Sequence, residues 1–377
     1  MKIIYLDNAA TTNKKPREVY RAVRSGVKKL SANAGRGGYP LSLCAAEKIY
    51  ETRKAIASLL NYDHPEYVVF TMNATYALNM AIKGLIYEKC HVITSDVEHN
   101  SVMRPIYALN KKIGVKYSLF NSNADDLYEE ICAHIRTDTR AIISTLASNV
   151  TGKEIPFEIL SRVARENGLK LIVDASQYIG HKEIDLSKTP CDALCAPGHK
   201  GLFGIMGLGF VVFSADMVEP IVEGGSGSYS KSISMPSALP ERLEAGTLPL
   251  PAICGLYGGV RFISRIGFER IDKRTKMLTA YCCKLLLSLQ GVILYSAKMG
   301  IVSFNMKDFK SEHLARLLSE RNVAVRGGFH CSPSAHVSLG TEDGGVVRVS
   351  ISYFTKKRDI RALYRALKKI SKGCYSL

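Results

Sequence analysis

The chain of 377 residues contains no tryptophan, and aromatic residues make up only 8% of it. Its core must be filled mainly by aliphatic side chains. Hydrophobic residues reach 46%, which excludes general disorder. No run approaches the ~18–20 apolar residues of a membrane span. The opening Met1-Lys2-Ile3-Ile4-Tyr5-Leu6-Asp7 meets an acid too soon for a secretion leader. A soluble, cytoplasmic protein is expected. The ten cysteines show no framework spacing and read as reduced thiols, mostly buried. Cys191 and Cys195 have no second ligand pair after them, so no metal is expected. Acidic residues are in deficit, 34 against 51 basic ones, for a net charge of +17. Such a charge would suit nucleic acid or an acidic partner. The lysines are dispersed, however, and only Arg17–Lys29 and Lys356–Lys372 are dense, which favours a solvated basic face. There is no internal repeat. No G-x-G-x-x-G joins a first strand to a helix, so a dinucleotide enzyme fits poorly.

The length suits two or three domains on a soft prior of ~150 residues each. Val19, Val23, Val27 and Leu30 repeat at helical spacing and predict a helix over Pro16–Leu30, followed by a Gly-rich loop, 33–38, and a helix from about Leu43 to Leu60. Strands are then predicted at Tyr67–Phe70, His91–Thr94, Ala141–Leu146, Leu169–Val173, Ala193–Ala196 and Gly209–Phe213. Helices at Tyr76–Ile86, after Glu98 and at Phe157–Asn167 alternate with them. That alternation implies βαβ units and a mainly parallel sheet. Gly224–Ser234 is Gly/Ser-rich and reads as a mobile surface loop. A helical region, Arg261–Leu289, opens a second α/β unit with strands at Val292–Tyr295, Ile301–Asn305, Val323–Val325 and Val346–Ile351, and helices at Ser311–Arg321 and Arg358–Ile370. The expected division is a large domain, 15–257, and a small domain formed by 1–14 and 258–377.

Polar residues gather where the strands should end: Thr75, His99, Asn149, Asp174 and Gln177. In open α/β sheets these ends form the ligand crevice. Taken singly, His99 or Asn149 would read as a loop-satisfying polar group; the grouping is what points to a site. Gly198-His199-Lys200-Gly201 follows the short strand 193–196. A lysine desolvated in such a turn has a lowered pKa and a free amine for Schiff-base chemistry. Asp174 ends an apolar strand and could hold a pyridine nitrogen protonated, the pairing that pyridoxal phosphate (PLP) enzymes need. Ala74 and Thr75 open a helix and offer a phosphate site.

At these segments the chain resembles the cysteine desulfurase family of PLP-dependent, class V aminotransferase-fold proteins. The resemblance rests on Tyr5-Leu6-Asp7-Asn8-Ala9-Ala10-Thr11-Thr12, Asn73-Ala74-Thr75, Glu98-His99-Asn100, Asn149, Asp174-Ala175-Ser176-Gln177, Gly198-His199-Lys200, Glu244-Ala245-Gly246-Thr247 and Arg326-Gly327-Gly328-Phe329-His330-Cys331, in the family's order along nearly the whole chain. It implies an α/β fold of PLP-dependent transferase type I. Lys200 would carry PLP and remove the substrate's α-proton. His99 would stack on the ring and move protons. Asp174 would pair with the ring nitrogen and Gln177 with the ring oxygen. Ala74, Thr75, His199 and Thr247 would hold the phosphate, Thr247 from the neighbouring subunit of a homodimer. Asn149, Arg326 and Arg348 would bind substrate, Arg348 taking the carboxylate as a fork. Cys331 would take sulfur from L-cysteine as a persulfide, leaving alanine, for an acceptor protein or small thiol that comes to the pocket. Arg326 and His330 would be its positive neighbours, favouring thiolate. Asn73, Pro197 and Phe329 depart from the family pattern, which has Gly, Ser and His there. The alternatives are a selenocysteine lyase, another class V lyase or aminotransferase, or a non-catalytic basic scaffold of the same fold.

Overall fold

The computed structural model describes residues 3–35, 37–215, 218–228 and 230–373. Met1, Lys2, Arg36 of the Gly-rich loop, Tyr229 of the Gly/Ser-rich loop and everything after Gly373 lie outside the described residues. The elements run β1 (Ile4–Tyr5), α1 (Arg17–Lys28), α2 (Pro40–Leu59), β2 (Val68–Thr71), α3 (Ala74–Leu85), β3 (His91–Ser95), α4 (Asn100–Ile113), β4 (Lys116–Phe120), α5 (Leu127–Cys132), β5 (Thr139–Thr145), α6 (Phe157–Glu166), β6 (Lys170–Asp174), β7 (Ala193–Pro197) and β8 (Gly209–Phe213). Then come α7 (Leu250–Ile266), α8 (Phe268–Leu287), β9 (Val292–Lys298), β10 (Ile301–Met306), α9 (Ser311–Glu320), β11 (Val323–Ala324), α10 (Pro333–Leu339), β12 (Val347–Ser350) and α11 (Lys357–Ser371).

Seven strands form one sheet in the order β2-β8-β7-β6-β5-β3-β4. Only β8 runs against its neighbours. The central strands are buried along their lengths, so they read as apolar runs rather than alternations. The expectation of a mainly parallel sheet therefore holds. Edge strand β4 is largely exposed, which is why its sequence carries no apolar run to reveal it.

The second unit has an antiparallel sheet, β12-β10-β9, and the parallel pair β1-β11. Its core joins Leu6 to Leu278, Cys282, Phe304, Val349 and Leu367. Helix α11 buries Ile360, Leu363, Leu367 and Ile370 and turns its basic residues outward. The expected division at 257/258 falls inside α7. Val260, Phe262 and Ile263 of that helix still pack in the core of the large sheet. The helix ends at Gly267, whose φ of +83° is a left-handed conformation open to glycine at little cost. The single helical region expected over Arg261–Leu289 is thus two helices.

A buried ion pair ties the sheet edge to the segment before Thr247. Glu244 accepts from Arg53 Nη2 at 2.6 Å and from the Phe70 backbone N–H at 2.6 Å, while Arg53 also donates to the Val68 carbonyl. Truncating one partner of such a pair strands a buried charge. Glu244→Ala should lower unfolding free energy by about 3–5 kcal/mol, and Arg53→Met with Glu244→Leu should recover part of that loss. Urea denaturation of the three proteins measures both effects.

Candidate active site

Strands β5, β6 and β7 are in parallel register and end together, so Thr145, Asp174 and Cys195 lie side by side. The turns after them, with the starts of α3 and α4, line one cleft. It collects Ala74, Thr75, His99, Ser101, Asn149, Asp174, Gln177, Pro197, His199 and Lys200. Eight of the twelve residues expected at a site share this cleft. Asn73, which departs from the family pattern, caps α3 by accepting the Tyr76 N–H at 3.1 Å. Its neighbourhood is tight: a Cβ on Gly209 would sit 2.5 Å from the Asn73 carbonyl carbon, so glycine lets β8 approach the helix start.

Asp174 is buried and accepts from the Ser176 N–H at 2.8 Å. Burial lowers the Lys200 pKa from 10.5 to about 8, against the pull of Asp174, which favours the cation. Arg348 and Arg326 push it further down. His99 is driven to about 4, again chiefly by burial, and so is neutral at pH 7. Its Nδ1 accepts from the Ser101 N–H at 3.0 Å, which leaves the ring proton on Nε2. Ser101 also meets Thr75, hydroxyl to hydroxyl, at 2.9 Å. His199 bonds Thr11 through Nδ1 at 3.0 Å, and Gln177 donates to the Ala9 carbonyl at 3.0 Å.

Arg348 is 1% exposed. It donates to the Asn149 carbonyl at 3.0 Å and to Asp7 at 2.8 Å. Its Nε has no acceptor among the described residues. Cys331 is exposed, and Arg326 Nη2 approaches its Sγ at 3.6 Å. The Asn100 N–H donates to the Cys331 carbonyl at 2.7 Å, and Asn149 Nδ2 donates to the His330 carbonyl at 2.8 Å. These bonds pin the cysteine loop beside His99. They also hold His330 and Cys331 in left-handed backbone conformations, φ +52° and +60°, uncommon for non-glycine residues. One sequence expectation is corrected here. His330 is buried, and burial together with Arg348 lowers its pKa to about 2. It is neutral and adds no positive charge beside Cys331.

Thr247 does not join the cleft of its own chain. It is exposed and accepts weakly from Asn33 at 3.4 Å. Three contributors escaped sequence reasoning. Asp7 holds Arg348, Ser101 links His99 to Thr75, and Glu98 is a fully buried carboxyl. Burial raises Glu98 to about 8, against bonds from Ser95 and the Thr145 N–H, so it is a neutral acid at pH 7. Asp7 and Glu98 stood inside quoted motifs, but nothing in the sequence marks their partners.

The family model for Aminotransferase class-V matches residues 4–363. The chain belongs to the class-V aminotransferase family. It is 33% identical to a probable cysteine desulfurase of Methanothermobacter thermautotrophicus, over 98% of this chain and 94% of that one. It is 29% identical to another from Pyrococcus abyssi, over 100% and 96%. Among solved structures, the apo cysteine desulfurase of Thermococcus onnurineus superimposes with a TM-score of 0.89 at 28% identity, over 98% of this chain and 95% of that one. These findings agree with the family and fold expected from the sequence. No helix among the described residues is long and apolar enough to cross a membrane.

The cleft of this class-V family member fits pyridoxal phosphate. A half-buried amine and a buried carboxylate line it together, and the N-terminus of α3 carries a hydroxyl for an anion. Only the neutral amine attacks an aldehyde. Uptake of PLP by the apoprotein should therefore accelerate as pH rises, with a midpoint near 8. Asp174 favours the cation, so Asp174→Asn should move that midpoint to lower pH. Stopped-flow absorbance across pH 6 to 10 measures both; a midpoint near the ordinary lysine value would refute the desolvation argument.

Proposed function

We propose that the chain is a cysteine desulfurase in which Lys200 carries PLP and Cys331 receives the sulfur of L-cysteine. The observation that carries this reading is the Asn100 N–H to Cys331 carbonyl bond of 2.7 Å, which fixes an exposed thiol next to the cleft of Lys200 and Asp174. When bound, PLP supplies an electron sink for the substrate's α-carbon. Asp174 would hold a positive charge on the ring nitrogen and Gln177 would bond the ring oxygen. Thr75, His199 and the first turn of α3 would hold the phosphate. Ser101 bonds Thr75, so a hydroxyl pair supports the phosphate where Pro197 offers none. Lys200, whose pKa burial lowers to about 8, takes the α-proton. His99 presents Nε2–H as a donor. Arg348, whose Nε is without an acceptor among the described residues, takes the substrate carboxylate, with Asn149 beside it. The Cys331 thiolate then attacks the substrate sulfur. The Sγ–S bond forms as the substrate Cβ–S bond breaks, the Cβ–S electron pair passing to Cβ; a proton taken up at Cβ and the return of a proton from Lys200 to Cα complete alanine.

The cysteine loop supports a limited reach. Its carbonyls are pinned by Asn100 and Asn149, and α10 begins two residues after Cys331. A small thiol or an acceptor protein must therefore come to the cleft mouth. Thr247, exposed and outside its own cleft, suits a homodimer in which it completes the phosphate site of a second copy. Nine free cysteines among the described residues suit a reducing, cytoplasmic setting.

Cys331→Ala should abolish persulfide formation and stimulated sulfide release while leaving the PLP absorbance unchanged. Mass spectrometry after one turnover with L-cysteine, beside an alanine assay, checks this. Full desulfurase activity in Cys331→Ala would favour a lyase that releases sulfur directly.

A further inference from the structure

The guanidinium of Arg348 is already occupied. It is 1% exposed, and its strongest partner is Asp7, at 2.8 Å from Nη2. We propose that Asp7 is a positioning and specificity residue that competes with the substrate and product carboxylate for Arg348, setting affinity low enough for alanine to leave. The inference rests on Arg348 being the carboxylate site.

Both ends of the contact are fixed by groups other than the Asp7 carboxylate. The main chain around Asp7 is held by the Tyr5 hydroxyl on the Asp7 carbonyl at 3.1 Å, and by Asn8 Nδ2 and the Ala9 N–H on Ser350 at 2.8 Å each. Leu6, next to it, is fully buried. Arg348 exchanges backbone bonds with Arg326, at 2.7 and 3.2 Å, and keeps its bond to the Asn149 carbonyl. Removing the charge of Asp7 therefore leaves the guanidinium in place.

An incoming carboxylate meets a cation whose charge is already balanced. It must share Nη2 with Asp7, and it approaches a second negative charge, that of half-buried Asp7. Its unopposed donor is Nε, which has no acceptor among the described residues. Competition and repulsion act in the same direction, and both weaken carboxylate binding. Substrate and product carry the same α-carboxylate, so a site that gripped it fully would hold product as firmly as substrate. Such uniform binding does not speed turnover.

Asp7→Asn is nearly isosteric and replaces a charge-assisted bond with a neutral one. It should tighten binding of L-alanine to the holoprotein, followed by cofactor absorbance, by roughly 3- to 10-fold. KM for L-cysteine should fall in parallel. Cysteamine, the same molecule without the carboxylate, should bind Asp7→Asn and wild type equally. Asp7→Glu keeps the charge and should show no gain. If Asp7 merely anchors Arg348, Asp7→Asn will weaken alanine binding, and that result overturns the proposal, as does unchanged binding. Arg348→Gln separates the two levels of argument. Alanine binding unaffected by that change would remove the carboxylate site itself, whereas weaker alanine binding there beside weaker binding in Asp7→Asn would sink only the role of Asp7.

Discussion

A buried guanidinium stands where the parts of this protein meet. Arg348 lies on β12 of the small sheet, touches the loop after β5 of the large sheet through the Asn149 carbonyl, and pairs with Asp7 of the N-terminal segment. Taking such an ion out of water costs several kcal/mol, and partners for its donors offset that cost. The acceptors of Nη1 and Nη2 bring three distant stretches of chain to one point. The same N-terminal stretch then reaches the rest of the cleft: Ala9 accepts from Gln177, Thr11 bonds the His199 ring, and Thr12 bonds the His199 carbonyl. The contact that anchors the cation thus also aligns side chains that belong to the large sheet.

Desolvation sets the protonation states around that anchor. It holds His99, His199 and His330 neutral, lowers Lys200 toward working pH, and keeps Glu98 protonated beside Asp174. Positive charge rests on the arginines and, below about pH 8, on Lys200, and the negative charge is carried by buried Asp174 and half-buried Asp7. A site arranged this way offers neutral bases and donors for proton movement and keeps full charges for binding. Acid and base roles are separated by environment rather than by residue type.

The cysteine loop shows a different use of constraint. Two consecutive residues in left-handed conformations cost about 1–3 kcal/mol each, and they persist because the surrounding bonds over-determine them. The thiol is exposed, yet its backbone is not free to travel. Sulfur chemistry on such a loop takes place at the cleft mouth.

By itself the sequence determined the elements and their alternation. The apolar runs of β3, β5, β6, β7 and β8 and the helical spacing of α1, α6 and α11 are properties of short stretches, set by local burial. It also determined the chemistry-bearing residues that sit at strand ends, from Thr75 to Lys200, because a βα unit places its strand end and the following turn within a few residues. Tertiary structure decided what depends on remote neighbours. Edge strand β4 has too little buried surface to leave a pattern, and α10 is too short to leave one. The end of α7 is set by what it packs against, so its boundary could not be read from composition. Cys331 and His330 are adjacent in sequence, but only burial shows that one is an open thiol and the other a ring kept neutral at pH 7. Asp7 and Arg348 are separated by nearly the whole chain, and their pairing exists only because the N-terminal segment bridges to β12 beside Ser350. Charge state and partner choice are long-range quantities, fixed by the dielectric and the groups that folding brings within a few ångströms.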